Sequence, residues 1–144
     1  MTKAGEAVDL FNQGFICSQA VLSVFAPDFG LNRDTALRIA QGFGAGMARI
    51  DDVCGAIAGA VLVLGLRYGA TQADDRAARE KTYAVINEFI KEFKQRNGTV
   101  SCTALLGFNL SDPDQRTQAH QSGVVPERCH GFVRDAVEIL EKLT

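Results

Sequence analysis

The chain has 144 residues, enough for one domain with its own core, and its 47% hydrophobic and 22% charged content is ordinary globular usage. Fifteen basic residues against seventeen acidic ones leave a net charge of −2, so there is no positive excess with which to grip nucleic acid or an anionic membrane. The longest apolar run, Val53 to Leu66, falls short of the about 18–20 residues that a bilayer span needs.

No apolar stretch precedes Glu6 and Asp9, so a cleaved secretory leader is not expected, and the chain reads as a soluble, cytoplasmic protein without membrane insertion. Ala4, Ala7, Val8 and Phe11 recur at helical spacing, and Gly14 stops that first helix. A second helix covers Ile16 to Phe25, ending before Pro27 and Gly30. Asn32 caps a third, with Ala36, Leu37, Ile39 and Ala40 turned inward. Gly42, Gly44 and Gly46 lack the preceding strand and following lysine of a phosphate-binding loop, and read as a mobile turn.

Asp51 and Asp52 are N-cap signals for a helix running from Val53 to about Tyr68. It is apolar all round, as an enclosed helix is. Gly55 and Gly59, with Ala56 and Ala60 beside them, predict a close helix crossing. Residues 74–97 form the longest amphipathic segment, with Tyr83, Ile86, Phe89, Ile90 and Phe93 facing in. Ser101 caps a short helix closed by Gly107, and residues 109–123 read as a polar surface loop with one helical turn at most. Pro126 opens the last helix at its first position, with Cys129, Phe132, Val133, Ala136, Val137, Leu140 and Leu143 on its buried face. The expectation is a single all-α domain over residues 1–144, a compact bundle of five or six helices. An aromatic face of Phe89, Phe93 and Phe132 would suit a homodimer.

Cys17, Cys54, Cys102 and Cys129 carry the chemistry. No C-x-x-C is present, which removes the common zinc-ribbon and thioredoxin spacings. In this reading each cysteine falls in the first turn of a helix, where free backbone N–H groups and the positive end of the helix favour a thiolate. The apolar neighbours of Cys17 and Cys129 turn both sulfurs inward, so the four are expected to converge at one end of the bundle.

The string Cys54-Gly55-Ala56-Ile57-Ala58-Gly59, with Cys17 before it and Cys102 and Cys129 after it, resembles the C-GCAxxG-C-C family of redox-active four-cysteine proteins. The segments G-F-I-C-S-Q-A-V-L around Cys17 and C-H-G-F-V-R-D-A around Cys129 extend the likeness over nearly the whole chain. Where the family's name writes G-C-A-x-x-G, this chain reads V-C-G-A-I-A-G. The resemblance implies a small helical protein whose redox role is inferred from its cysteines. A similar cysteine module precedes haem domains in certain cytochromes, where an iron–sulfur centre has been suggested.

Three functions remain open on the sequence. The first is thiol–disulfide chemistry through Cys54, Cys17, Cys102 and Cys129 with a redox partner, Cys54 being the expected nucleophile because its helix start is the best defined and Arg49 lies close in sequence. The second makes Cys17, Cys54, Cys102 and Cys129 ligands of zinc or an iron–sulfur cluster, with His130 a substitute ligand or a solvent-facing residue. The third is a helical binding module in which the cysteines only pack. His120 reads as ordinary surface. No Ser–His–Asp set, paired carboxylates or H-E-x-x-H supports hydrolysis.

Overall fold

The computed structural model describes residues 2–144. The first three helices form where the sequence places them. Thr2 accepts from the Gly5 amide to start α1 (Lys3–Asn12), and α2 (Cys17–Phe25) runs into a 3₁₀ turn, Ala26–Phe29, that Gly30 ends in the left-handed conformation. Asn32 caps α3 (Arg33–Gln41) through the Thr35 amide at 2.9 Å. Four further helices follow: α4 (Gly55–Tyr68), α5 (Arg76–Asn97), α6 (Cys102–Leu106) and α7 (Pro113–Ser122), before the long α8 (Val124–Leu143).

Among the described residues the fold is therefore all-α, as expected, but with eight α-helices rather than five or six. One of the added helices is α7, in the stretch that reads as a loop. Its composition is polar because only Ala119 is fully buried, yet its ends are well marked: Asp112 accepts from the Asp114 amide, Pro113 occupies the first turn, and Gly123 closes it in the left-handed conformation. That closing glycine also starts α8, which therefore begins two residues before Pro126.

A layer of buried aliphatic and aromatic side chains lies between α2, α4, α5 and α8, with α1 packed on α2 and α8. The α2–α4 crossing is close because Gly59 sits on the Ser18 carbonyl: a Cβ there would lie 2.8 Å from that oxygen. Buried polar groups hold α2 to α3, with the Ser18 hydroxyl donating to the Ala40 carbonyl at 2.7 Å and the Gln19 amide to the Leu37 carbonyl at 3.0 Å. Ile39 and Tyr83, expected inward, are instead exposed (46% and 56%), and Thr82 and Val85 take the inward positions on α5. Phe89, Phe93 and Phe132 are interior, the last two 6.3 Å apart between ring centres, so they leave no aromatic face for self-association. Among the described residues no strand forms and no helix is long and apolar enough to cross a membrane.

Candidate functional site

Four separate segments bring the cysteines into one neighbourhood. Cys17 is the first residue of α2, where the Gln19 side chain accepts from the Ile16 amide and fixes the entry. Cys102 is the first residue of α6, whose cap is Ser101, accepting from the Ala104 amide at 3.2 Å. Cys54 is itself the cap residue of α4. The expected caps Asp51 and Asp52 lie in the loop before it, where Asp52 accepts from the Val53 amide. Cys129 lies in the second turn of α8, because that helix starts earlier than Pro126. Three cysteines thus stand at helix entrances and one does not.

Backbone pairing fixes two of them directly. Val53 and Ser101 form an isolated antiparallel bridge, the Cys54 amide donates to the Val100 carbonyl at 2.8 Å, and the Cys102 amide donates to the Asp52 carbonyl at 3.0 Å. The third side of the site is an unusual piece of backbone. Residues 45–49 all have positive φ, so Gly44–Ala48 winds as a left-handed turn, with Ala45 at φ 56°, ψ 42° and Gly46 at φ 67°, ψ 48°. Each non-glycine residue in such a turn costs about 1–2 kcal/mol. The turn is held by the Asp52 amide donating to the Gly46 carbonyl at 3.1 Å and by its packing on the cysteines. A Cβ on Gly46 would come within 2.9 Å of the Cys102 Cβ. Gly55, the residue after Cys54, is equally constrained: a side chain there would collide with the Cys17 sulfur. The two glycines therefore have a packing reason beyond turn formation, since larger residues would push the thiols apart.

All four cysteines are free. Cys54 and Cys102 are buried (5% and 8% exposed), whereas Cys17 and Cys129 are half-buried. Burial pushes the Cys54 thiol well up, and the Cys17, Cys129 and Cys102 sulfurs push it the same way, against one lowering contact from the Ala56 amide. Cys102 rises to about 11, through burial and then Cys17 and Asp51. Cys129 rises to about 12, through burial and then Cys17 and Cys102. Cys17 is also raised by burial, but the Ala45, Ser18 and Ala56 amides, with its own, oppose that rise. The expected thiolate-stabilising effect of helix entrances is thus present but overridden, because removing a thiolate from water outweighs a few N–H contacts. The mutual effects link every pair of the four sulfurs, so they share one electrostatic neighbourhood.

Thiols are suitable donors for zinc or iron–sulfur centres. Among the described residues no three or more His, Cys, Asp or Glu side chains are grouped so as to hold a single metal ion. His130 does not join the sulfurs: its Nε2 pairs with Asn12 and its ring meets Phe11 edge-on, which ties α8 to α1.

Cys17 and Cys129 both line a cleft of about 320 Å³. Its apolar wall is Phe11, Phe15, Ile16, Leu106, Leu110 and Val125, and its rim carries Arg49, Arg116 and His120. Arg116 and His120 were not legible as site residues while residues 109–123 read as a loop. The Asp112-Pro113 start and Gly123 stop were the available signal, for on a helix positions 116 and 120 share one face.

Comparison with curated proteins and with solved structures finds no match. A family model described as "Putative redox-active protein (C_GCAxxG_C_C)" matches residues 15–143, a span that holds all four cysteines, the constrained glycines and all of the cleft lining except Phe11 and Gly14. The chain belongs to the C_GCAxxG_C_C family.

Proposed function

We propose that this protein transfers electrons by reversible thiol–disulfide exchange, with Cys17 as the attacking thiol and Cys129 as the thiol that resolves the mixed disulfide. The observation that carries the reading is that these two of four neighbouring free cysteines line one cleft, while Cys54 and Cys102 are buried. Cys17 replaces Cys54 as the expected nucleophile. It lines the cleft, and its sulfur faces the most N–H donors, whereas Cys54 is enclosed and burial pushes its thiol well up. Arg49, which suggested Cys54 on the sequence, lines the cleft beside Cys17.

In the oxidising direction the Cys17 and Cys129 thiols together give up two electrons and two protons as their S–S bond forms. A disulfide on the partner takes up both and is cleaved to two thiols. A high-pKa thiol is seldom ionised at neutral pH, but its thiolate is the stronger nucleophile, so the site is quiet until something brings the attacking sulfur into contact with a disulfide.

Free-thiol titration under denaturing conditions tests this. Reduced protein treated with a small disulfide should lose two of its four thiols, and peptide mapping should recover Cys17 joined to Cys129. Cys17→Ser should abolish the loss, and Cys54→Ser should retain it. Four thiols that persist under oxidant, or a bond found only between Cys54 and Cys102, would overturn the proposal. The first result would leave the cysteines with a packing role.

A further inference from the structure

Resting on the exchange reading of the Cys17–Cys129 cleft, we propose that the cleft accepts a small disulfide bearing carboxylates, selected by Arg49 and Arg116. Its volume of about 320 Å³ is at the small end of the range for small-molecule sites. The rim is electropositive on a molecule whose net charge is −2: two guanidinium groups and the His120 imidazole line it, and no carboxylate does.

These cations are also uncommitted. The ion pairs among the described residues use Lys3, Arg96, Arg134 and Lys142 as cations, and neither Arg49 nor Arg116 appears in one. Arg116 makes one long hydrogen bond, to the Leu110 carbonyl at 3.4 Å, and the Arg49 side chain makes none among the described residues. A guanidinium offers a planar fork of donors that fits a carboxylate, and no carboxylate lines the cleft. The apolar wall suits the hydrocarbon and sulfur of such a ligand, and the two sulfurs of the protein lie on the same cleft as the arginines.

The exchange then runs in two balanced steps. The Cys17 sulfur attacks one sulfur of the ligand, forming a mixed disulfide, and the first ligand thiolate leaves and is protonated by the proton that Cys17 gave up. The Cys129 sulfur attacks the Cys17 sulfur, forming the internal disulfide, and the second ligand thiol leaves with the proton from Cys129. Two protein thiols are oxidised and one ligand disulfide is reduced to two thiols.

Three small disulfides of opposite or no charge separate this from unselective exchange: dithiodiglycolate, bis(2-hydroxyethyl) disulfide and cystamine. Each rate of oxidation of the reduced full-length protein is divided by the rate of the same disulfide with 2-mercaptoethanol, which removes intrinsic reactivity. The anionic disulfide should lead the cationic one by about tenfold or more at low salt, a margin that shrinks as salt is added. Arg49→Gln with Arg116→Gln should erase the order, and Arg49→Glu should reverse it, with thermal unfolding used to confirm that each variant is folded. Equal normalised rates, or an order that survives loss of both arginines, would overturn the inference while leaving the exchange chemistry intact. Failure of all three disulfides and of diamide to oxidise the protein would overturn both.

Discussion

At the scale of single residues, the site balances burial against a handful of amide contacts, and burial wins at all four sulfurs. This has a consequence for stability. Cys102 is 8% exposed, and its thiol is pushed up from 9.0 to about 11 in the folded protein. Above pH 9 the unfolded chain releases that proton while the folded chain still holds it, so the folded state binds more protons and loses stability as pH rises. The contribution is fully present below the unfolded thiol pKa and is lost as pH climbs toward 11. Its slope is about 1.4 kcal/mol per pH unit at most for one such thiol. Urea unfolding of the reduced protein at pH 8 and pH 10 should therefore show a fall that is about 1.4 kcal/mol smaller in Cys102→Ser than in the parent. Parallel falls in the two proteins would mean that the enclosed thiol is not held protonated by its surroundings.

At the scale of elements, the caps and stops were readable because they are local: Asn32, Ser101 and Gly107 each act through a turn or an amide a few residues away. A close crossing on α4 was readable too, since small residues four apart leave room for another backbone, and the structure supplies α2 as that neighbour. What stayed hidden depends on distant contacts. Nothing in G-F-G-A-G-M-A-R announces four non-glycine residues with positive φ, because the turn is stabilised by Asp52 and by packing on Cys102 rather than by its own sequence. Likewise Glu92 and Arg96, at helical pair spacing, do not pair with each other: Glu92 meets Lys142 at 3.1 Å, and Arg96 meets Glu138 at 2.9 Å, both on α8. The glycines of α4 give a sharp test of which features matter. Gly59→Ala places a Cβ 2.8 Å from a backbone oxygen of α2 and should cost about 1–3 kcal/mol by overpacking. Gly65→Ala, on the same helix with nothing outside its own helix backbone within 4 Å of the added carbon, should instead stabilise by about 0.5–1 kcal/mol. Denaturant midpoints of the two variants check both signs at once, and equal effects would mean that the α2–α4 crossing is looser than the glycine contacts require.

At the scale of the whole molecule, the four sulfurs come from positions spread along the chain, so the site exists only in the folded state. A Cys17–Cys129 bond would connect the start of α2 to the second turn of α8 and close a loop containing most of the protein. In the chain-entropy account, a loop of roughly 100 residues stabilises the folded state by about 4–5 kcal/mol by restricting the unfolded chain, less any strain in the bridged form. The strain has an identifiable location. Ala45 of the left-handed turn lines the cleft together with Cys17, and its amide favours the Cys17 thiolate, so a sulfur drawn toward Cys129 would move away from that turn. Oxidation should therefore raise the urea midpoint of the protein as a whole while speeding amide hydrogen exchange in residues 44–52, two changes of opposite sign within one molecule. A uniform gain in protection, including the turn, would mean that the bond forms without moving Cys17. A lower midpoint would mean that the folded geometry resists the bridge more strongly than the shortened unfolded chain favours it.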